Sequence, residues 1–466
     1  MKTKKLFGTA LLACATVLTL ASCNGEDDST TVTFYTTAGD TPMVTLNAAK
    51  EKFEKENEGW KVNVVNGFNY DGLKTKVNSM LSSNTQPSLA FCYPDHVAQY
   101  LKTGKVLNLD NYIKNEEYGY SDDEWSDFVK SYMTEGTSYT VEGTYSIPFA
   151  RSTEVLYYNK TVLDAEGIAV PKTWDELWAA CTKLKAKYPK SFPLGYDSEA
   201  NWVISYLEQY AKHEGQGKKY YTDGTKAASE RILFNNDVTK DFLTELKGYY
   251  SKGLFTTQTI SGSYCSTLFK KYRQKDSEDG KQKKTDAATY NGAFLSIGST
   301  GGASKQDPGN TEETFVAGVA PLPGITEDSA LCISQGPSLV MFNQGDEKKA
   351  EMTWKFVKVL LSPEIQAKYS IDNGYNPVRS SVYDLATFKE AMSDGTLVNK
   401  TILLANEIGS KDLFYTSDAF VGSSQAREQV GVALVNVMKG SGAVATLVND
   451  YLQEAYDEAS YFAKKD

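Results

Sequence analysis

The sequence predicts an α/β protein in which helices flank a mostly parallel β-sheet, and three observations carry the prediction. The first hundred residues alternate strand-like and helix-like patterns in the order β-α-β-α-β. Strand-rich segments recur in the middle of the chain, and the last third returns to helical periodicity. With 466 residues, 41% of them hydrophobic and 23% charged, the chain is long enough for more than one unit and apolar enough to bury real cores, which excludes disorder as its main state.

Along the chain, Thr31 to Tyr35 (TVTFY) is a β-branched and aromatic run. A helix is expected next, with Thr41 as cap, Pro42 at its first position, Met43, Leu46 and Phe53 on one side, and Lys50/Glu54 paired at i,i+4. Val62 to Val65 reads as a strand, Leu73, Val77 and Met80 as a helical stripe, Ser88 to Cys92 as another strand, and Pro94 opens a helix. In such a sheet, ligands bind at the carboxyl ends of strands. From Tyr145 the segment YSIPFARSTEVLYYNK is strand-rich, and Thr173 with Glu176 has the spacing of a capping box. Residues 271 to 286 (KYRQKDSEDGKQKKTD) are an exposed charged connection. Strand-like runs follow within 289 to 304, 315 to 325 and 330 to 342, then helices at Ala350 to Leu361 and Gln425 to Met438.

The N-terminus reads MKTKKLFGTALLACATVLTLASC: a basic start, an apolar run from Leu6 to Leu20, then small residues. That run is short for a membrane span and fits a secretory signal. Leu20-Ala21-Ser22-Cys23 resembles the bacterial lipobox, whose cysteine is lipidated and becomes the new N-terminus; an ordinary signal peptide cut nearby is the alternative. Residues 1–22 are then a signal peptide and 23–30 a polar tether. Of the remaining cysteines, Cys92, Cys181, Cys265 and Cys332 allow three pairings, none has C-x-x-C spacing, and buried free thiols are the preferred reading.

Composition narrows the chemistry. A net charge of −10 argues against a nucleic-acid partner, because non-specific affinity for phosphate backbones comes from clustered lysine and arginine. Thirty tyrosines, 20 phenylalanines and 6 tryptophans stand against 2 histidines and five arginines (Arg151, Arg231, Arg273, Arg379, Arg427). Such a chain is rich in stacking surfaces and poor in the usual acid/base and metal-ligating side chains. No P-loop, H-E-x-x-H or G-x-S-x-G motif occurs, so no enzyme, cofactor or metal site gains support.

Four segments carry a family resemblance when taken together: PSLAFCYPDHVAQYLKTGKVLNLDNYI (87 to 113), IPFARSTEVLYYNKTVLDAEGIAVPKTWDELWAACTKLK (147 to 185), YNGAFLSIGS (290 to 299) and GPSLVMFNQGDEKKAEMTWKFVKVLLSPEIQAKYSIDNGYNPVR (336 to 379). In order and spacing they resemble the extracellular solute-binding proteins of ABC importers, in the branch of maltose, multiple-sugar and glycerol-3-phosphate binders. The resemblance implies a periplasmic-binding-protein-like fold of two α/β lobes cut from discontinuous chain: 31–150 plus 336–386 for lobe one, 151–335 plus 387–466 for lobe two. The crossings are expected near Pro148 to Glu154 and Leu331 to Gly336. It also implies closure around a solute and membrane permease subunits as partners with an ATPase beyond them, while the lipobox resemblance implies a membrane attachment through the Cys23 lipid.

The same resemblance supplies candidate ligand residues, each with a competing role. Tyr70 in NGFNYDG matches a cleft tyrosine, or caps a helix. Asp95 lies one step from the position of an acidic contact that Pro94 occupies here. Ser152 and Thr153 fall where relatives use a hydroxyl, and Arg151 beside them forks onto an anion or hydroxyl pair, or forms an interlobe salt bridge. Trp202 is a ligand platform or a core residue; Phe294 and Ser299 fall in a segment that supplies stacking rings or serines. Gly336 is expected to admit backbone N–H groups to the solute. Tyr375 in NGYNPVR matches a ligand contact, and Arg379 is read as a structural ion pair. The stretch LFYTSDAFVGSSQ (413 to 425) lacks the arginine that phosphate-ester binders place in that region. The expected ligand is therefore a neutral oligosaccharide; a glycerol phosphate ester, or a sensor role on the same fold, are the alternatives.

Overall fold

The computed structural model describes residues 28–309 and 311–465; the signal and Cys23 lie outside them. The strands are β1 (Thr31–Tyr35), β2 (Lys61–Val65), β3 (Leu89–Cys92), β4 (Ile147–Pro148), β5 (Ala150–Arg151), β6 (Glu154–Asn159), β7 (Leu194–Tyr196), β8 (Phe255–Thr257), β9 (Leu295–Ser299), β10 (Ala317–Pro321), β11 (Cys332–Ile333), β12 (Ser338–Met341), β13 (Asn376–Pro377) and β14 (Phe414–Tyr415). They form two five-stranded sheets, ordered β2-β1-β3-β12-β4 and β10-β6-β9-β7-β8, and two two-stranded ones, β11-β14 and β13-β5.

Each five-stranded sheet is mixed. In lobe one, β1 pairs in parallel with β2 and β3, whereas β12 runs antiparallel to β3 and β4. In lobe two, β7 is parallel to β8 and β9, and β6 is antiparallel to β9 and β10. The parallel part is the predicted β-α-β run, in which each helix returns the chain to the same end of the sheet. β12 arrives from the other lobe, and that entry reverses its direction.

Each lobe has its own core. One gathers Val32, Phe34, Phe53, Val77, Phe91, Leu339 and Trp354, drawing on 32–150 and 339–378. The other gathers Tyr157, Leu177, Trp202, Phe255, Leu295, Leu434 and Leu452, drawing on 155–333 and 397–463. A small third cluster of Ala367, Val382, Phe388, Met392 and Ile402 lies under the helices after lobe one's last strand. Burial at alternate positions of β1 is what the β-branched run dictates, with Val32 and Phe34 fully inside.

Local signals placed most helices well. Pro94 is the first residue of Pro94–Leu101, and the Thr173 hydroxyl accepts from the Glu176 N–H at the start of Trp174–Lys187. The capping box there is one-sided, because the Glu176 carboxylate accepts from Lys172 N–H instead. The first helix begins at Asp40 with Gly39 as cap, not at Pro42 after Thr41. Segment 271–286 contains no helix or strand.

Three passages link the lobes. β4 pairs with β12 while the residues after β5 enter lobe two through β6; Ser152 bridges Gln335 by backbone hydrogen bonds of 2.6 and 2.9 Å; and β13 pairs with β5, placing Asn376 opposite Arg151. The backbone there is tightly packed. Gly336 has φ +151°, and a Cβ on it would stand 2.2 Å from the Ala150 carbonyl oxygen.

Candidate functional site

A cavity opens between the lobes where the carboxyl ends of β3, β11 and β14 converge. Tyr93, Pro94 and Asp95 line it from lobe one, together with Glu135; Gln335 lines it from the linking segment, and Tyr221, Asp418, Ser423 and Arg427 from lobe two. The Pro94–Leu101 helix follows β3 directly, so the residues at its start are aimed at the cavity, as strand-to-helix turns in α/β sheets aim ligand-binding groups. The space measures about 60 Å³, enough for about five waters at roughly 10–15 Å³ each. Parting of the lobes about the linking strands would widen it.

Tyr93 lines one wall, and two further tyrosines back it. Tyr70 is the first residue of the helix Tyr70–Ser83, which Asn69 caps by accepting from the Gly72 N–H at 2.8 Å, so Tyr70 does no capping. Its ring stacks on Tyr93 with centroids 3.9 Å apart and planes 19° from parallel. The Tyr375 phenol adjoins both. Burial raises all three phenol pKa values, leaving neutral hydroxyls able to donate or accept. Tyr375 also packs on lobe two: a Cβ on Gly301 would stand 2.7 Å from its ring. Ser299 adjoins this contact, but its hydroxyl accepts from the Gly301 N–H at 3.2 Å and so holds its own turn.

Polar groups form the other walls. Asp95 Oδ1 accepts from the His96 N–H at 3.0 Å, and His96, 3% exposed, is kept neutral by burial, which lowers its pKa. Asp418 is anchored by Lys219, by the Thr222 hydroxyl at 3.1 Å and by the Gly224 N–H at 3.0 Å. Arg427, in the first turns of the helix Ser423–Lys439, donates to Asn201 Oδ1 and, at 3.3 Å, to Gln335 Oε1. Its neighbours on that side are amides, and among the described residues no carboxylate lies within 4.0 Å of it.

The remaining sequence candidates occupy other places. Arg151 is not a ligand group: it is 1% exposed and bound to Glu135 at 2.6 Å, to the Gly336 carbonyl at 3.1 Å and to the Ser338 hydroxyl at 3.1 Å. Burial raises the Glu135 carboxyl pKa, against the pull of that guanidinium. This is the ion-pair alternative, formed among the segments that link the lobes. Gly336 is needed for the close backbone approach to Ala150 and is not among the residues that line the cavity. Ser152 and Thr153 are buried: the Ser152 hydroxyl donates to the Gln335 carbonyl at 3.3 Å, and the Thr153 N–H to Thr300 Oγ1 at 3.1 Å.

Trp202 and Phe294 are fully buried in the core of lobe two. Trp202 stacks on Tyr196 at 4.6 Å and meets Phe255 edge-on at 4.9 Å; Phe294 packs against Tyr188 at 4.6 Å and Tyr290 at 4.8 Å. Arg379 is the structural ion pair expected, 2.6 Å from Asp127. Burial pushes that carboxyl up, but hydrogen bonds from Ser381 and Arg379 outweigh it and hold the pKa below the usual range.

Sequence reading passed over Tyr93, Tyr221, Gln335, Asp418 and Arg427. For Tyr93 the signal was present, an aromatic directly between a buried strand and a proline-initiated helix. Arg427 lies two residues beyond the stretch inspected for an arginine.

Comparison with known proteins agrees with this architecture. Residues 48–393 match the family model described as bacterial extracellular solute-binding protein. The sn-glycerol-3-phosphate-binding periplasmic proteins of Yersinia enterocolitica and Escherichia coli K12 are each 23% identical, over 374 and 382 residues, covering 79% and 80% of this chain and 78% and 80% of the relative. Among solved structures, UgpB of Mycobacterium tuberculosis in complex with glycerophosphocholine aligns with a TM-score of 0.69 at 18% identity, covering 91% of this chain and 98% of that one. An ABC substrate-binding protein of Listeria monocytogenes in complex with cycloalternan aligns with a TM-score of 0.70 at 17% identity, covering 92% and 98%. The fold is thus shared with these solute-binding proteins, and the chain belongs to the bacterial extracellular solute-binding protein family.

Proposed function

We propose that the protein captures a carbohydrate, an oligosaccharide, between its lobes and delivers it to the membrane subunits of an ABC importer, while a lipid on Cys23 holds it at the outer face of the membrane. One observation carries the ligand class: the cavity sets Tyr93, backed by the stacked Tyr70 ring, and Tyr221 beside Asp95, Asp418, Ser423 and Gln335. Aromatic faces suit the apolar side of a sugar ring, and fixed carboxylates, amides and hydroxyls suit its hydroxyl groups. Three carboxylates, Asp95, Glu135 and Asp418, line the cavity against one guanidinium, Arg427, which favours a neutral ligand over a dianion.

A second reading rests on Arg427. Its guanidinium is free of carboxylates and faces the cavity, an arrangement suited to a singly charged phosphodiester, and relatives bearing glycerol-3-phosphate and glycerophosphocholine names support it. A thermal-shift panel of maltotriose, cyclic glucans, sn-glycerol-3-phosphate and glycerophosphocholine separates the two. A ligand at 100 times its Kd adds about 2.7 kcal/mol to the native state. Stabilisation by the neutral sugars supports the first reading, and stabilisation by the phosphate compounds alone replaces it with the second.

A further inference from the structure

Arg427 is held by a chain of hydrogen bonds that begins in the core of lobe two. Glu154, the first residue of β6, is 2% exposed. Its Oε2 accepts from the Tyr196 hydroxyl at 2.6 Å and its Oε1 from Asn201 Nδ2 at 2.7 Å. Asn201 is fixed in the first turn of the helix Glu199–Glu214, where the Ser198 hydroxyl accepts from its N–H, and is itself 2% exposed. With Nδ2 turned to Glu154, its Oδ1 is left facing Arg427, from which it accepts. Gln335, which bridges Ser152 between the lobes, takes the remaining donors: Arg427 at 3.3 Å and Asn201 Nδ2 at 3.4 Å.

The orientation of Asn201 is the critical point. A side-chain amide has one accepting and one donating end. An ionised carboxylate only accepts, so it draws the donating end and presents the accepting end to the guanidinium. In a protonated Glu154 with its proton on Oε1, that O–H meets Asn201 Nδ2 donor against donor, which favours the flipped amide and sets its NH₂ against the Arg427 guanidinium.

We infer that Glu154 is a positioning residue for the cleft: its ionised form orients Asn201, Asn201 aims Arg427 at the solute, and protonation of Glu154 releases Arg427 and weakens capture. The inference rests on the reading that Arg427 contacts the captured solute.

The surroundings of Glu154 put its titration in a useful range. The groups facing it are Tyr196 on β7, Asp197 just beyond it, Cys332 on β11, Tyr415 on β14 and Arg427. Burial raises the Glu154 pKa to about 7; hydrogen bonds from Tyr196 and Asn201 and the Arg427 charge pull it down, and Asp197 pushes it up. Capture is then strongest above pH 7 and weakens progressively below it.

The test has a ligand-free arm and a binding arm. With only five arginines in the chain, arginine-labelled protein gives few guanidinium NMR signals, and Arg427→Lys identifies the one that matters. In the wild type that signal should move in a single step near pH 7, and in folded Glu154→Gln it should stay constant from pH 5 to 9. Tyr196→Phe removes a hydrogen bond to the ionised form and should shift the step to higher pH, which serves should Glu154→Gln fail to fold. Asp197→Asn should leave a step in place. No movement in the wild type, or the same step in Glu154→Gln, overturns the inference. In the binding arm, maltotriose and glycerophosphocholine are titrated by calorimetry at pH 8 and pH 6. The probe that binds at pH 8 should bind about tenfold more weakly at pH 6, as the ionised fraction falls from roughly nine-tenths to one-tenth. A clear NMR step with pH-independent affinity would leave the hydrogen-bond chain standing and refute a solute contact by Arg427.

Discussion

Trp202 offers the sharpest test of how the site was assigned, because its two readings predict opposite outcomes for one substitution. As a ligand platform, Trp202→Ala would abolish capture and leave the apo protein as stable as before. The structure places the indole at 0% exposure, stacked on Tyr196 and edge-on to Phe255, with Trp174 and Trp178 at 6.3 and 6.2 Å. Truncation uncovers on the order of 150–250 Å² of apolar surface, about 4–6 kcal/mol at roughly 25 cal/mol/Å². Buried aromatic-to-alanine changes cost about 3–5 kcal/mol, and we take about 4. That is a large share of a domain's total margin of about 5–15 kcal/mol, and corresponds to a drop of roughly 8–16 °C in Tm for a unit of this size. Trp202→Phe provides the contrast. The indole Nε1 is buried without a hydrogen-bond partner, so its removal relieves a penalty of about 1–3 kcal/mol and offsets much of the lost area; the expected cost is under about 1.5 kcal/mol. Differential scanning calorimetry of the apo protein measures both. A Trp202→Ala variant that melts like the wild type yet fails to bind would refute the core assignment.

Other consequences follow from the same geometry. Arg151→Met strips Glu135 of its buried partner and should destabilise the apo protein by about 3–5 kcal/mol in urea unfolding; unchanged stability with lost capture would restore Arg151 to the cleft. Gly336→Ala forces a Cβ against the Ala150 carbonyl at a backbone angle L residues rarely adopt, so a cost of at least about 1–3 kcal/mol is expected in the same assay. Arg427→Gln should leave the melting temperature of the apo protein within about 2 °C of wild type while weakening capture of the compound found by the thermal-shift panel at least tenfold; unaltered affinity would remove Arg427 from the site. The four thiols at Cys92, Cys181, Cys265 and Cys332 are free and buried, and burial raises their pKa values, that of Cys332 to about 12. Ellman's reagent should find none in the native protein at pH 8 and all four after denaturation without reductant.

Glu154 also sets a pH trend in stability. Its pKa is higher in the folded than in the unfolded state, so its contribution is greatest below about pH 4.5 and declines as pH rises through about 7. Against the Glu154→Gln variant, the wild-type apo protein should therefore lose melting temperature between pH 5 and 8, and a parallel pair of curves would contradict the burial that raises the pKa.

Local order was largely legible in the chain. A β-branched and aromatic run marked β1, proline marked the start of the Pro94–Leu101 helix, and the ordered motifs pointed to a two-lobed binder with Tyr70, Asp95 and Tyr375 among its candidate ligand residues, of which Asp95 lines the cavity. These signals work because periodicity, caps and turn residues act within a few positions of one another. Which buried face a side chain joins is a different matter. Trp202 and Asn201 are neighbours on one helix, yet one stacks in the core and the other reaches Glu154 and Arg427. Arg151 takes its ion-pair alternative because Glu135 arrives to neutralise it, whereas Arg427, to which the sequence reading gave no role, bonds to the amides of Asn201 and Gln335 at the cavity. Composition and spacing determine that strands and helices form, and that aromatic surface is plentiful. Whether a given ring or charge faces a cavity is decided by contacts among β-strand ends hundreds of residues apart, through burial and pairing that exist only once the lobes have folded.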